Sequence, residues 1–382
     1  MSERILFQCD YNEGAHPKIL ERLVETNMEQ TSGYGVDKYC ASAADRIKKA
    51  CGDASLDVHF LVGGTQTNLT VIDAALRSHQ GILCAVTGHI NVHETGAVEA
   101  CGHKVLGLPS EDGKISAAQV EAACKAHFEN GDAEHMVQPG MVYISNPTEL
   151  GTIYKADELE AIYKVCKNYG IFLFLDGARL GYGLTAPDND LTLAMIAKNT
   201  DAFYIGGTKV GALFGEAVVI SNALLKKDFR YIMKQKGGML AKGRLLGIQF
   251  DTLFTDNLYL EISKKAIDYA ERIRAAMTAN GYRFTAPNRT NQIFVEIPDA
   301  HLEVLDRQFE YSYDAKVSET ESRVRFCTSW ATKEENVDKL IQALAELSGK
   351  PVAAVQNSVP ADNEKKTSEE GDMIWESMFL EI

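Results

Sequence analysis

The sequence predicts an α/β protein with a mainly parallel β-sheet covered by helices, followed by a smaller α+β C-terminal domain. Three observations carry this. From about residue 55 to residue 221, short apolar runs alternate with helix-like runs, as expected of a parallel sheet with helices on both faces. One run, Ile171-Phe-Leu-Phe-Leu175, is apolar at every position, which suits a strand buried on both sides. Beyond about residue 225 the alternation gives way to longer helical stretches and then to strands interleaved with helices.

In chain order, strands are predicted at Val58–Val62, Gly81–Val86, Met141–Ser145, Ile171–Leu175, Asp201–Ile205 and Glu216–Ile220. A helix is expected from Leu69 to Arg77. The clearest helix runs from Asp157 to Tyr169, where Leu159, Ile162, Tyr163, Cys166 and Tyr169 share a face. Asp157 is its expected cap, with Glu160 three residues on, and Gly170 suits a left-handed end. Leu224–Phe254 reads as helical and rich in Lys and Arg, and Asn257–Asn280 as one long amphipathic helix. Strands are expected at Tyr282–Phe284, Gln292–Ile297 and Arg323–Cys327. The expected division is an N-terminal arm (1–30), a large α/β domain (31–255), a small α+β domain (256–348) and a polar tail with a short apolar segment (349–382).

Composition narrows the function. The 382 residues are 45% hydrophobic and 24% charged, with net charge −14. That argues against broad electrostatic binding to nucleic acid or an anionic membrane. No apolar run is long enough to span a bilayer, and the first residues lack an export-type apolar core, so a cytoplasmic location is expected. The eight cysteines form no C-x-x-C pair and read as reduced thiols. No ligand cluster suggests a metal site.

In parallel sheets, ligands sit beyond the carboxyl ends of the strands. Four stretches lie there. Asp176 ends a buried strand and needs a partner for its charge. Either a protonated heteroaromatic ring nitrogen supplies that partner, or the carboxylate caps the next turn. Lys209 follows a strand and the glycines of Gly206-Gly-Thr208. It is either an exposed turn lysine or a readily deprotonated amine able to form an imine. Asp176 and Lys209 follow successive strands and therefore point into one crevice. Gly63-Gly-Thr65 follows a strand and opens a helix, an arrangement that binds phosphate through free amides, although a bare structural turn gives the same pattern. His89 follows another strand and suits ring stacking or proton transfer. His93 competes with it for that role.

Together these stretches resemble the threonine aldolase / β-eliminating lyase family of fold-type I pyridoxal-phosphate enzymes, from about Phe7 to about Leu347. The resemblance rests on Asp176-Gly-Ala-Arg-Leu180 and Ile205-Gly-Gly-Thr-Lys209. Supporting stretches are Asp10-Tyr-Asn-Glu-Gly-Ala-His-Pro17, Tyr34-Gly-Val-Asp37, Gly63-Gly-Thr65, His89-Ile90, Lys236-Gly-Gly-Met239 and Arg323-Val-Arg-Phe-Cys-Thr328. It implies a fold-type I, pyridoxal-phosphate-dependent transferase-like fold, with pyridoxal 5'-phosphate held as a Schiff base on Lys209. Asp176 is then the partner of the ring nitrogen, Gly64 and Thr65 bind the phosphate, and His89 stacks on the ring. Arg179 and Arg325 hold the substrate carboxylate. Arg323 is a near neighbour expected to face the other side of its strand. Tyr34 and Lys236 are implied to reach a neighbouring subunit's site, in a homodimer or homotetramer. The implied reaction is retro-aldol cleavage of L-threonine, L-allo-threonine or a related β-hydroxy-α-amino acid to glycine and an aldehyde. The alternative is β-elimination from a small or aromatic amino acid.

Two departures from the family pattern stand out. Cys9 occupies a substrate-carboxylate position where family members commonly carry Ser. The loop Ser145-Asn-Pro-Thr-Glu-Leu-Gly151 lacks the usual His. The acceptor of the β-hydroxyl proton is therefore open among Thr148, Glu149, His89 and a bound water.

Overall fold

The computed structural model describes residues 4–349; the tail expected over 349–382 lies outside these residues apart from Gly349. Strand β1 (Ile5–Leu6) opens the chain. A seven-stranded sheet follows: β2 (Asp57–Leu61), β3 (Gln80–Ala85), β4 (Lys104–Leu108), β5 (Gln138–Ser145), β6 (Phe172–Asp176), β7 (Ala202–Gly206) and β8 (Glu216–Ile220), in the order β2-β8-β7-β6-β5-β3-β4. Five neighbours, β7-β6-β5-β3-β4, are parallel. Strand β8 alone is reversed, pairing antiparallel with both β7 and β2. The reversal brings its first residue, Glu216, to the same sheet edge as the last residues of the parallel strands.

Alternation along the strands feeds two buried layers. Leu83, Val142, Ile144, Leu173, Leu175, Phe203 and Ile205 face one layer, together with helices Lys38–Ala50 and Ala156–Tyr169. Ile82, Met141, Tyr143, Phe174 and Tyr204 face the other, against helix Gly64–Ala75. Each fully buried large aliphatic or aromatic side chain contributes about 1.5–3 kcal/mol. This two-sided burial is why the strands read as unbroken apolar runs.

A second, antiparallel sheet contains β9 (Arg283–Phe284), β10 (Gln292–Pro298), β12 (Ser312–Lys316) and β13 (Glu321–Cys327), in the order β12-β13-β10-β9. Strand β11 (Phe309–Glu310) instead pairs parallel with β1, so the start of the chain lies beside this second unit. Helix Leu258–Ala279 joins the two cores: Tyr259, Ile262 and Ile267 pack into the first, and Ile273, Ala276 and Met277 into the second.

Several local expectations need correction. The helix expected from Leu69 begins at Gly64, so the Gly-Gly-Thr stretch forms its first turn rather than a preceding loop. The cap of Ala156–Tyr169 is Lys155, not Asp157, and Glu158 rather than Glu160 accepts from the cap's amide at 2.8 Å. Leu224–Phe254 is three helices, broken where Asp228 and Gly237 take positive φ (61° and 73°). Strand β4 is not predicted by its sequence. It is a half-buried edge strand, so its pattern lacks the continuous apolar run of its neighbours. Arg323 and Arg325 share one face of β13, because residues two apart point the same way while Ser322, Val324 and Phe326 point inward. Arg323 is set apart by its ion pair to Asp314.

Candidate active site

The carboxyl ends of β3, β5, β6 and β7 and the start of helix Gly64–Ala75 enclose a small cleft. Its walls carry Gly64, His89, Ser145, Glu149, Asp176, Arg179, Tyr204 and Lys209. Of the residues singled out in the sequence, the fold thus brings Gly64, His89, Asp176, Arg179 and Lys209 together.

Lys209 sits on a tightly closed loop between β7 and β8. Gly207 and Thr208 both donate their amides to the carbonyl of Gly215, at 2.9 and 3.1 Å. The Lys209 carbonyl accepts from Tyr182 Oη at 2.6 Å. Glycine is required at 177 and 206, where any Cβ would strike the backbone of Tyr204 or Ala178. That close approach sets the ends of β6 and β7 side by side. Among the described residues, no hydrogen bond or ion pair engages the Lys209 amine. Burial and then the Arg179 charge lower its proton affinity, against the pull of Asp10, Glu216 and Asp176. An amine of this kind is a competent nucleophile toward an aldehyde.

Asp176 is buried and accepts four hydrogen bonds: Tyr143 Oη and Tyr204 Oη, each at 2.5 Å, Ala178 N at 2.9 Å and Asn68 Nδ2 at 3.2 Å. The bond from Ala178 is the structural cap considered for this residue, and it coexists with the carboxylate's place in the cleft. His89 Nδ1 lies 2.8 Å from Glu94 Oε1, which also accepts from Asn68 Nδ2 at 2.7 Å. Burial lowers the His89 proton affinity, but the Glu94 bond and the Asp176 charge outweigh it, so the net shift is upward. His93 is more exposed, its ring 5.5 Å from that of His89. Burial and the neighbouring His89 shift it downward.

Arg179 makes a two-pronged pair with the fully buried Asp10, Nε at 2.6 Å and Nη2 at 3.0 Å. Asn291 Nδ2 completes the Asp10 shell at 2.8 Å. Burial alone would raise the Asp10 carboxyl, but Arg179 holds it below its ordinary value. Asp10 opens one of the stretches behind the resemblance, but no local spacing pairs it with Arg179, 169 residues away, and Glu94 lies outside the stretches singled out in the sequence.

Of the two loop residues considered for proton transfer, Thr148 is paired with Thr152 Oγ1 at 2.7 Å. Glu149 follows the cis Asn146–Pro147 bond and accepts from Ser145 Oγ at 2.6 Å and the His89 amide at 2.9 Å. Burial raises its proton affinity.

The remaining sequence candidates lie outside this cleft. Thr65 is exposed in the first turn of its helix. Cys9 lines an adjoining cavity with Asn12 and Cys327, and its thiol donates to Asn12 Oδ1 at 2.9 Å. Arg325 donates to Gln292 Oε1, Gln8 O and Ser312 Oγ at 3.0–3.1 Å, while its buried Nε lacks a partner. Its charge still reaches Cys9 and His93. Tyr34 lines a surface hollow with Arg230 and Tyr231, under the Lys234 ammonium. Lys236 pairs with Asp73 at 3.0 Å and contacts Cys101.

The chain is similar to several known proteins. The fold is shared with an aspartate aminotransferase from Thermus thermophilus (TM-score 0.67, 13% identity, 90% of this chain and 92% of the other). A Leishmania major structure described as threonine aldolase is 44% identical, with TM-score 0.88, over 90% of this chain and 99% of its own. A Pseudomonas protein named low specificity L-threonine aldolase is 30% identical over 342 residues, which is 87% of this chain and 95% of that protein. The β-eliminating lyase family model matches residues 9–300, which takes in every wall of the cleft, and the chain belongs to that family.

Proposed function

We propose that this chain is a pyridoxal-phosphate-dependent carbon–carbon lyase that cleaves L-threonine, L-allo-threonine or a related β-hydroxy-α-amino acid to glycine and an aldehyde. The observation that carries the reading is Lys209, an uncommitted, partly desolvated amine in the same cleft as Asp176 and Arg179. The similarity to proteins named threonine aldolase supports the choice of bond.

The residues present fit the cofactor. The first intrahelical amide bond of Gly64–Ala75 is Thr67 N to Gly63 O, and no side chain caps that end. The preceding amides therefore suit a phosphate. Thr67 Oγ1, Asn68 Oδ1 and Glu94 Oε2 are buried there without partners. When bound, pyridoxal phosphate supplies an aldehyde for an amine and a cationic ring that accepts the electron pair released at a substrate carbon.

Each residue then has a task. Lys209 would hold the cofactor through its side-chain amine. Asp176, fixed by two tyrosines, keeps the ring nitrogen protonated. Gly64 and Thr65 would hold the phosphate, and His89, fixed by Glu94, would serve the ring. Arg179, clamped by Asp10, presents its remaining Nη1 to the substrate carboxylate. Arg325, beside Cys9, contributes its charge toward the same carboxylate from outside the cleft. Glu149 Oε2 accepts the β-hydroxyl proton as the Cα–Cβ bond breaks, since a desolvated carboxylate of raised proton affinity suits general-base work near neutrality. Tyr34 and Lys236 serve the site of a second copy, in a dimer or a tetramer of dimers.

Glu149 in place of an imidazole also keeps β-elimination as the second reading. Two measurements test the proposal. Borohydride treatment of the protein loaded with pyridoxal phosphate should fix the cofactor on the peptide containing Lys209, and Lys209→Ala should abolish that label; a label elsewhere refutes the assignment. Threonine should give glycine and acetaldehyde, whereas pyruvate and ammonia from serine or cysteine would establish elimination instead.

A further inference from the structure

Glu216 is the first residue of the reversed strand β8 and is 3% exposed. Its sheet partner is Gly206, the last residue of β7. Oε2 accepts the Gly207 amide and Oε1 the Thr208 hydroxyl, both at 3.0 Å. Thr208 Oγ1 in turn accepts the Gly215 amide at 3.0 Å. Both carboxyl oxygens are thus spent on the two residues that immediately precede Lys209. A buried carboxyl is an expensive way to close a loop, and an amide or a water would close it without a charge. The charge therefore calls for a partner.

Three carboxyl groups act on the Lys209 amine: Asp10, Glu216 and Asp176. Asp10 is neutralised by the two-pronged Arg179 pair. Asp176 is held by two phenols and, on the reading above, serves the ring nitrogen. Glu216 has only neutral donors of its own, an amide and a hydroxyl. Lys209 and Asp176 act on it electrostatically, and it acts in turn on the phenols of Tyr204 and Tyr259.

We propose that Glu216 is a positioning residue for Lys209: its carboxyl group locks the loop that aims the lysine and supplies the negative charge that faces the lysine nitrogen whenever that nitrogen carries a proton. The inference rests on the assignment of the cofactor to Lys209. Burial pushes the Glu216 carboxyl up to about 7, against the pull of Lys209 and the two hydrogen bonds. Near neutral pH its charge is therefore present or absent according to its neighbour, which is what a tuning partner requires. The sign follows: an ionised carboxylate favours the protonated nitrogen, so its removal makes that nitrogen release its proton at lower pH.

The test is a pH titration of the absorbance of the cofactor linked to Lys209. Glu216→Gln keeps the size and an acceptor for the Gly207 amide, and Thr208 can accept from the new amide. The midpoint should fall by about one to two pH units, while Glu216→Asp, which keeps the charge, should restore most of the shift. A Glu216→Gln protein that binds the cofactor with an unmoved midpoint overturns the proposal and leaves the Lys209 assignment standing. Failure of borohydride to fix cofactor on Lys209 in the unsubstituted protein overturns both. If Glu216→Gln does not fold, carbon-13 labelling of the glutamate carboxyls provides the readout. A carboxyl titrating near neutrality should move its midpoint upward in cofactor-free Lys209→Ala, and glutamate titrations identical in the two proteins overturn the proposal.

Discussion

Replacing Asp10 with Asn isolates the contribution of one buried charge to both stability and substrate orientation. Asp10 accepts three hydrogen bonds, two from Arg179 and one from Asn291, in a fully buried position. An amide of the same shape retains one acceptor oxygen and sets an NH2 against a donor, while Arg179 keeps its charge without compensation. Breaking a buried pair from one side costs about 3–5 kcal/mol. Denaturant unfolding of the cofactor-free protein should show a loss of that size for Asp10→Asn. Adding Arg179→Met should return part of the loss, because the uncompensated charge goes with it. The double-mutant cycle should give a coupling of at least about 2 kcal/mol. The pH dependence has a definite sign. Asp10 titrates below its ordinary 3.8 in the folded chain, so its stabilisation is present above that value and lost as pH falls through the lowered folded value. The gap between the two proteins should therefore stay constant from neutral pH to about pH 5 and close in strong acid. A cost under about 1 kcal/mol, or a coupling near zero, refutes the argument that the pair is what holds Arg179 in place.

Two further substitutions probe proton transfer. Glu149→Gln should lower kcat for threonine cleavage by about 10²–10⁴-fold without removing the absorbance of the cofactor on Lys209. The acid limb of the unsubstituted enzyme's kcat/KM should lie above the ordinary carboxylate value of 4.5, because burial raises Glu149, and a loss under about tenfold would exclude Glu149 as the acceptor. Glu94→Gln should move the His89 imidazole midpoint, followed by NMR, from above 6.5 downward, since burial then acts with less opposition. The pair's stabilisation is present below the ordinary histidine value and lost as pH rises through the raised one, and an unmoved His89 midpoint would show that Glu94 does not set it.

The sheet was legible because two-sided burial forces a nearly continuous apolar run, as in β6 and β8, and because glycines mark where β6 and β7 end in contact. The edge strand β4 escaped notice for the opposite reason: half exposed and carrying Lys104 and Gly107, it has no such pattern. Lys209, Asp176, His89 and Gly64 were readable as strand-end or helix-start residues beside glycine. What surrounds them was not. Nothing local ties Asp10 to Arg179, Glu216 to the Lys209 loop or Asn68 to both Glu94 and Asp176, since these links depend on which chain segments the topology brings to one edge.

That topology also explains how one cleft holds so many carboxyl groups in a single protomer. Glu149 and Asp176 line it and Asp10, Glu94 and Glu216 stand behind its walls, held by different donors: Asp10 by a guanidinium, Glu94 by an imidazole and an amide, Asp176 by two phenols, and Glu149 and Glu216 each by a hydroxyl and a backbone amide. Only the first is a full, permanent cation. The other four carboxyls are held by neutral donors or by an imidazole, and of these burial raises the proton affinity of Glu149 and Glu216. On the proposed function an amino acid places an ammonium and a carboxylate near them, and the Arg179–Asp10 pair offers a fixed cation for that carboxylate. If Arg179 binds that carboxylate as proposed, Asp10 contributes to substrate orientation through the arginine it holds, without touching the substrate.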